Sequence, residues 1–367
     1  MFSISWDSDE AASFKWLQKY LNDTSITDVH IKKSGIGIRR NGLIQSVEDK
    51  FYTPNFPQEL QKKYGMSFSI DIGGVRVRGQ AIAEGTGNWE MALRILPRTV
   101  PTIEELGLPD VFRRLVSFRK GLTLYVGVPG SGKTTTQGAL INEFNKTQQG
   151  HIITIEDPIE IIHHPINCMI TQKEATLPFG PDTVYPADEG YQIMLEQLLR
   201  EDPNLVMVAE TRHPVAMEKV LTIANTGVHI MSTLHAESVA STPHRIEDMV
   251  PPEKKDMIRS ELSMGLNAII FQKLVPTKDL QGRYLLTEYA FLNDTMRTML
   301  RNQEDQSHKI RGMISDKERE KDPGFQTLEM SAARGVVEGK LDRDMVAMHL
   351  TRRDEFLEKI KALEKGL

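Results

Sequence analysis

Between residues 10 and 22 (EAASFKWLQKYLN) apolar side chains recur at helical spacing, so Phe14, Trp16, Leu17, Tyr20 and Leu21 are expected on one face of a helix. The period then drops to two. Val29 and Ile31 alternate with polar neighbours, and two alternating stretches, Ile36 to Arg40 and Leu43-Ile44, flank Asn41-Gly42. Asn-Gly in that position signals a tight hairpin, because both residues tolerate positive φ. Residues 67–96 read as three more antiparallel strands: SFSIDI, VRVRGQAIA after the turn Gly73-Gly74, and WEMALRIL. Residues 1–96 are therefore expected to form a small α+β domain on a hairpin sheet.

The pattern breaks at Pro97 to Pro109, a proline-rich stretch read as a linker, in which Thr102 and Glu105 have the spacing of a capping box. From residue 110 short apolar runs alternate with helical stretches, the signature of a parallel sheet with crossover helices. The runs are Leu122–Val126, His151–Ile155, Leu205–Ala209 and His229–Thr233. Residues 172–191, rich in proline, glycine and acid, read as a surface excursion. From about 255 the chain reads as mostly helical and charged. The expected division is an N-terminal domain (1–96), a linker (97–109), an α/β core (110–290) and a helical C-terminal region (291–367).

Composition narrows the function classes. The formal charge of −5 argues against a general nucleic-acid coat, which needs a basic excess. A single cysteine, Cys168, excludes a disulfide framework and any zinc site built on several cysteines, and fits a reducing cytosol. The first ten residues carry Asp7, Asp9 and Glu10 rather than a basic start to a signal sequence. The longest stretch without Lys, Arg, Asp or Glu, Val220 to Ala236, contains Asn225, His229 and His235, so no transmembrane segment is expected.

The densest chemistry is Gly127-Val128-Pro129-Gly130-Ser131-Gly132-Lys133-Thr134, which satisfies G-x-x-x-x-G-K-[ST] directly after an apolar run and before a helical stretch starting at Thr135. Glycines let successive N–H groups turn toward phosphate oxygens, and the helix that follows aims its positive end at the same anion. In this motif Lys133 reaches the β- and γ-phosphates of ATP and the Thr134 hydroxyl holds Mg²⁺. Three other apolar runs end in useful groups: Glu156, Asp157 and Glu160 after the second, Glu210 and Arg212 after the third, His235 after the fourth. Ligands of open parallel sheets sit beyond the carboxyl ends of the strands, so these groups are expected around the γ-phosphate. Each also has a plainer reading: Glu156 and Asp157 as helix caps, Glu210 as an ordinary strand end, His235 as a structural histidine.

Taken together the motifs resemble the secretion ATPase superfamily of type II and type IV systems, which combines a phosphate loop, an aspartate box, a Walker B region ending in glutamate and a histidine box. Here these are Thr154 to Glu160, Leu199 to Glu210 and Thr226 to His235. Thr27 to His30, Ile103 to Gly107 and Gly324 to Leu328 match its flanking parts, so the resemblance covers about residues 20–345. The chain is similar to PilT-like motors and looks closest to the DotB/TraJ branch serving type IVB secretion and conjugation, on Gln272 to Thr277 and Glu288-Tyr289. It departs from the pattern at Ala209, where the family has glycine, at His213, where it has an acid, and in the 172–191 excursion, which looks longer than in plain retraction motors.

The resemblance implies a RecA-like core with a mainly parallel sheet, a PAS-like N-terminal domain and a helical C-terminal part. It implies a cytoplasmic homohexamer at the inner membrane, partnered by membrane components of a secretion or pilus machine. It makes Glu210 the acid of hydrolysis and a Mg²⁺ holder through water, Glu160 an orderer of water, and His235 a γ-phosphate sensor. Arg76, Arg78 and Arg94 become fingers on the nucleotide, against the plainer reading of a solvated strand face. Arg297 and Arg301, helically spaced in DTMRTMLR, resemble the family's C-terminal output motif or an ordinary amphipathic helix. The alternative within the family is a type IV pilus retraction motor of the PilT kind; competing classes are a phosphotransferase with a small acceptor, a nucleic-acid translocase and a non-hydrolysing scaffold.

Overall fold

The computed structural model describes residues 2–4, 14–23, 25–40, 43–48, 55–85, 87–96, 99–175, 178–180, 183–184, 187–302 and 307–366. The chain divides into two compact units, one of residues 1–100 with 158–162 and one of residues 101–157 with 163–367.

In the first unit β1 (Phe2–Ile4), α1 (Gln18–Leu21), β2 (Ile26–Lys32), β3 (Gly35–Arg40), β4 (Leu43–Val47), α2 (Phe56–Tyr64), β5 (Ser67–Ile72), β6 (Val75–Ala83) and β7 (Trp89–Ile95) follow in order. They form one sheet in the order β1-β5-β6-β7-β2-β3-β4. All pairings are antiparallel except β1 with β5. Gly73 and Gly74 take the positive φ that the β5–β6 turn needs (58° and 80°). Asn41 and Gly42 lie outside the described residues, yet Arg40 faces Leu43 across β3 and β4. Residues 10–13 of the expected helix are also outside. Phe14 to Leu17 instead form a 3-10 turn leading into α1, and all five expected face residues are buried. Phe56 of α2 closes this core, its ring edge-on to Phe14 and Trp16 at 5.5 and 5.3 Å. The mixed polarity of FPQELQKKY had hidden α2 from a periodicity reading. Gly79 is glycine for a local reason: a Cβ there would lie 2.2 Å from the Phe68 ring on the neighbouring strand.

The second unit runs β8 (Gly121–Val126), α3 (Lys133–Thr147), β9 (Gly150–Glu156), β10 (Cys168–Glu174), β11 (Pro178–Gly180), β12 (Thr183–Val184), α4 (Ala187–Leu198), β13 (Leu205–Val208), α5 (Pro214–Asn225) and β14 (His229–Leu234). It continues with α6 (Thr242–Glu247), α7 (Lys255–Gly265), β15 (Leu266–Pro276), β16 (Arg283–Phe291), α8 (Asp294–Arg301), α9 (Ser307–Arg319), β17 (Phe325–Gln326), α10 (Leu328–Val337), α11 (Arg343–Ala347) and α12 (Arg353–Glu364). Eight strands form one sheet, β10-β9-β13-β14-β8-β15-β16-β17. Neighbours from β10 to β15 are parallel; β16 and β17 are antiparallel additions. Both faces are covered. Leu122, Leu124, Val126, Ile153 and Ile155 pack into one core layer, while Tyr125, Ile152, Met207 and Met231 pack into the other. Burial on both sides is why these strands read as continuous apolar runs. Thr102 and Glu105 make the reciprocal capping bonds (2.8 and 3.2 Å), though the segment forms turns rather than a helix.

Two expectations are corrected. Residues 255–291 are not mostly helical: β15 and β16 occupy 266–276 and 283–291 and complete the sheet. Lys273 and Glu288 interrupt otherwise β-type runs, and their charge disguised the alternation. The stretch 172–191 is not wholly an excursion. Gln172 to Glu174 end β10 on the sheet edge, and Tyr191 lies in α4 with its ring buried in the core. β10 (CMITQKE) is a polar edge strand, which the search for apolar runs passes over.

Candidate nucleotide-binding site

The phosphate loop leaves β8 and enters α3 in the second unit. Gly127 (φ 145°) approaches a neighbouring strand so closely that a Cβ would lie 2.4 Å from the Gln272 carbonyl oxygen. Gly132 (φ 93°) is the left-handed residue that turns the loop into α3. Lys133 is buried, and its Nζ donates to the Gly127 and Val128 carbonyl oxygens at 2.8 and 3.0 Å. Burial lowers the Lys133 ammonium from its ordinary value, and Glu210 opposes that shift. The Ser131 hydroxyl is buried without a hydrogen-bond partner among the described residues. Thr134 and Thr135 are half-buried on the first turn of α3, beside Thr136, whose hydroxyl accepts from Gln272 at 2.7 Å. An orphan hydroxyl, a glycine cradle and a helix N-terminus on one loop fit a polyphosphate.

Glu210 and His235 are brought beside this loop by strand pairing. β13 and β14 are adjacent and parallel, with Val208 opposite Ser232, so the residues just past their ends meet. Short side-chain bonds clamp the two exits: Thr233 donates to the Ala209 carbonyl at 2.5 Å, and the Thr211 and Ser232 hydroxyls lie 2.5 Å apart. His235 Nδ1 is 2.9 Å from the Gly127 carbonyl oxygen, an acceptor, so Nδ1 carries the hydrogen of that bond. Its Nε2 then faces Glu210 Oε1 at 2.9 Å. The other carboxylate oxygen of Glu210 accepts from Arg212 at 2.6 Å. Lys133 and His235 thus share the Gly127 carbonyl, and His235 reaches on to Glu210, at the carboxyl ends of the parallel strands.

The remaining expected residues are distributed differently. Glu156, at the end of β9, is buried and accepts from Thr154 Oγ1 at 2.6 Å and Gln172 at 3.3 Å. Asp157 beside it is exposed. Glu160 belongs to the first unit, where it accepts from Arg78 at 2.8 Å. Arg76 is buried and donates to the Ile159 carbonyl at 3.2 Å, so it is not part of a solvated strand face. Arg94 is largely exposed and donates to Asp28 at 3.0 Å. Arg78 and Arg94 are direct cross-strand partners on β6 and β7. Like charges placed opposite one another repel, and here each guanidinium faces a carboxylate, Arg94 sharing Asp28 with Arg39.

Sequence reasoning gave no site role to Gln272 or Tyr191, and placed Arg212 near the γ-phosphate without its partner. Gln272 backs the phosphate loop with its carbonyl and side chain. Arg212 holds Glu210. Tyr191 is buried; burial foremost, with Asp157, Glu156 and Glu210 adding, holds its phenol well above the ordinary range. Two cavities flank the loop within this unit. One of about 510 Å³ is lined by Val128, Pro129, His235, Glu237, His244 and Arg245. One of about 330 Å³ is lined by Leu106, Gly132, Thr135, Leu274, Arg283 and Leu285.

The family model for the type II/IV secretion system protein matches residues 65–329. The chain belongs to that family. It is 36% identical to the type IV pilus retractation ATPase PilT of Pseudomonas aeruginosa over 278 residues, 76% of each chain. Among solved structures, the pilus retraction motor PilT with bound ADP covers 92% of this chain and 97% of its own at a TM-score of 0.78 and 28% identity. The ATPase DotB of Legionella pneumophila covers 90% and 93% at a TM-score of 0.72 and 21% identity, a likeness of fold. The α/β architecture of this type II/IV secretion family member is therefore the one its motifs imply. No helix among its described residues is long and apolar enough to cross a membrane.

Proposed function

We propose that this chain hydrolyses ATP as a homohexamer and powers a type IV pilus or related secretion machine from the cytoplasmic face of the inner membrane. The observation that carries the chemistry is the meeting of Lys133, Glu210 and His235 at the carboxyl edge of the parallel sheet. Phosphoryl transfer to water needs positioning and charge neutralisation more than covalent help. Lys133 and the loop N–H groups would hold the β- and γ-phosphates, and His235 would sense the γ-phosphate. Thr134, with Glu210 acting through water, would hold Mg²⁺, which neutralises phosphate charge when bound. Glu210 sets up the attacking water and Glu160 helps order it. Arg76, Arg78 and Arg94 supply delocalised positive charge suited to a spread-out transition state. The smaller cavity, with three leucines and Arg283, has the chemistry for a base and ribose.

A retraction-type output is favoured over the type IVB branch, because the relative at 36% identity is a retraction ATPase whereas the DotB likeness concerns fold. Phosphate release per protomer, measured over a range of protein concentrations with light scattering alongside, tests the assembly. A specific rate that climbs as protein is concentrated is expected. A rate that stays flat down to monomer overturns the ring and favours a phosphotransferase, for which an acceptor should then be sought.

A further inference from the structure

Away from the nucleotide loop, the second unit buries an unusual concentration of charge. Glu288 on β16 is 4% exposed at its side chain, Glu329 on α10 is 5% and Arg311 on α9 is 12%. Arg311 reaches Glu288 at 3.2 Å, Glu329 at 2.6 Å and, on α12, Glu355 at 3.2 Å. Lys359 extends the network from Glu355 (3.5 Å) to Glu318, which in turn accepts from the Thr327 hydroxyl at the start of α10 (2.8 Å). Among the described residues, Glu288 is the one member that also reaches the other way. Its Oε2 accepts the backbone N–H of Val239 at 3.3 Å. Val239 lies four residues past His235, in the turn that Ser238 and Ser241 close by bonds of 3.0 and 3.1 Å between each other's N–H and hydroxyl.

We propose that Glu288 is the positioning residue of the His235 loop, fixing it to Arg311 and through Arg311 to the C-terminal helices. Three carboxylates around one guanidinium are a costly way to fill a core. An apolar cluster of the same volume is often the more stable choice, and removing one partner from such a cluster leaves an uncompensated charge. Burial foremost pushes the Glu288 carboxyl up to about 7, against the pull of Arg311 and the Val239 N–H and with the push of Glu329. What the carboxylate supplies in return is a fixed link between a loop that touches the phosphate loop and three helices that do not. Arg311 on α9, braced as well by Glu355 on α12, then sets where His235 stands, and a shift at His235 is felt at Arg311.

The test compares E288Q with E329Q in the full chain. Both remove one carboxylate from Arg311, but only E288Q leaves a single acceptor oxygen where Val239 and Arg311 each need one, which sets an amide NH2 against one of the two donors. The expected result for E288Q is a turnover number about tenfold lower with KM for ATP within twofold, since displacing a sensing group by a fraction of an ångström acts on the reacting geometry. It also loses the preference of the site for ATP over ADP, read as the ratio of dissociation constants, which needs no turnover. E329Q lowers the melting temperature but leaves turnover and that ratio as in the wild type. Should E288Q fail to fold, Val239→Pro removes the other end of the bond with every charge in place and is expected to give the same kinetic signature. Wild-type turnover and ATP preference in E288Q or Val239→Pro, or equal losses in E288Q and E329Q, would overturn the proposal. This inference rests on hydrolysis at the Lys133 site. The affinity ratio separates its failure from a failure of that reading.

Discussion

The two units hold their functional side chains by different means. In the parallel-sheet unit, main-chain groups do the holding: Lys133 rests on two loop carbonyls, His235 on one of the same pair, and β13–β14 pairing puts Glu210 beside it. In the antiparallel unit, two of the three candidate arginines are held by side-chain carboxylates far away in sequence, Arg94 by Asp28 and Arg78 by Glu160, while Arg76 donates to the Ile159 carbonyl. Backbone-held groups are placed by the fold itself and stay put whenever the sheet is formed. Ion-paired groups at partly exposed sites are weakly held, typically by less than about 1 kcal/mol, and can exchange one anion for another. On the proposed reading, a nucleotide phosphate would compete for both guanidiniums. The first arrangement suits a fixed binding cradle, and the second suits groups that must change partner during a cycle.

The sharpest break in that comparison comes from Lys133→Ala. It removes the cation at the centre of the cradle and is expected to lower turnover by at least about 100-fold while nucleotide binding also weakens. Arg78→Ala should behave differently. Its loss is expected to reduce turnover by roughly tenfold or more through transition-state charge, yet to leave the melting temperature nearly unchanged, because the Arg78–Glu160 pair is about one-third exposed on each side. A large drop in melting temperature for Arg78→Ala would show that its pair is structural instead. Leu124→Ala, at a fully buried position of the second unit's sheet, is expected to cost about 2–5 kcal/mol and to act on that unit, since Leu124 belongs to a core that shares no residue with the first.

The smallest expected effect is on pH dependence. His229 is fully buried against Thr123, and burial depresses its imidazole to about 3; His163 is depressed to about 4, by burial foremost and by His164. Below the ordinary value of 6.5 the unfolded chain takes up protons that the folded one refuses. Stability is therefore lost as pH falls from about 6.5 toward these values. Both histidines lie in the second unit, so calorimetry from pH 7.5 to 5 should show its transition falling in temperature by a few degrees. His229→Gln should flatten part of that slope; an unchanged slope would contradict the assignment.

How much was legible beforehand follows from the same contrast. The cradle could be read because a glycine spacing, an apolar run and a helix start are local signals, and parallel strands converge on one edge by topology. The pairing of Glu160 with Arg78 and of Asp28 with Arg94 could not, because nothing in sequence links residues so far apart. For Arg76 the plainer alternative, a solvated face, fails because the residue is buried: period two says which residues share a face and not which face is covered. β15 and β16 were passed over because Glu288 and Lys273 put charge into buried strands. That charge is satisfied by Arg311 on a helix and by the His349 carbonyl, contacts that only the tertiary fold supplies.

The most direct test of the account is a comparison of wild type and Glu210→Gln, measuring nucleotide binding and phosphate release on the same preparations. Both proteins are expected to bind Mg·ATP with similar affinity, because the loop, Lys133 and Thr134 are intact and Glu210 would meet Mg²⁺ only through water, while phosphate release by E210Q falls by about 100-fold or more. Release at the wild-type rate by E210Q, or none above the Lys133→Ala background by the wild type, would contradict hydrolysis at this edge of the sheet.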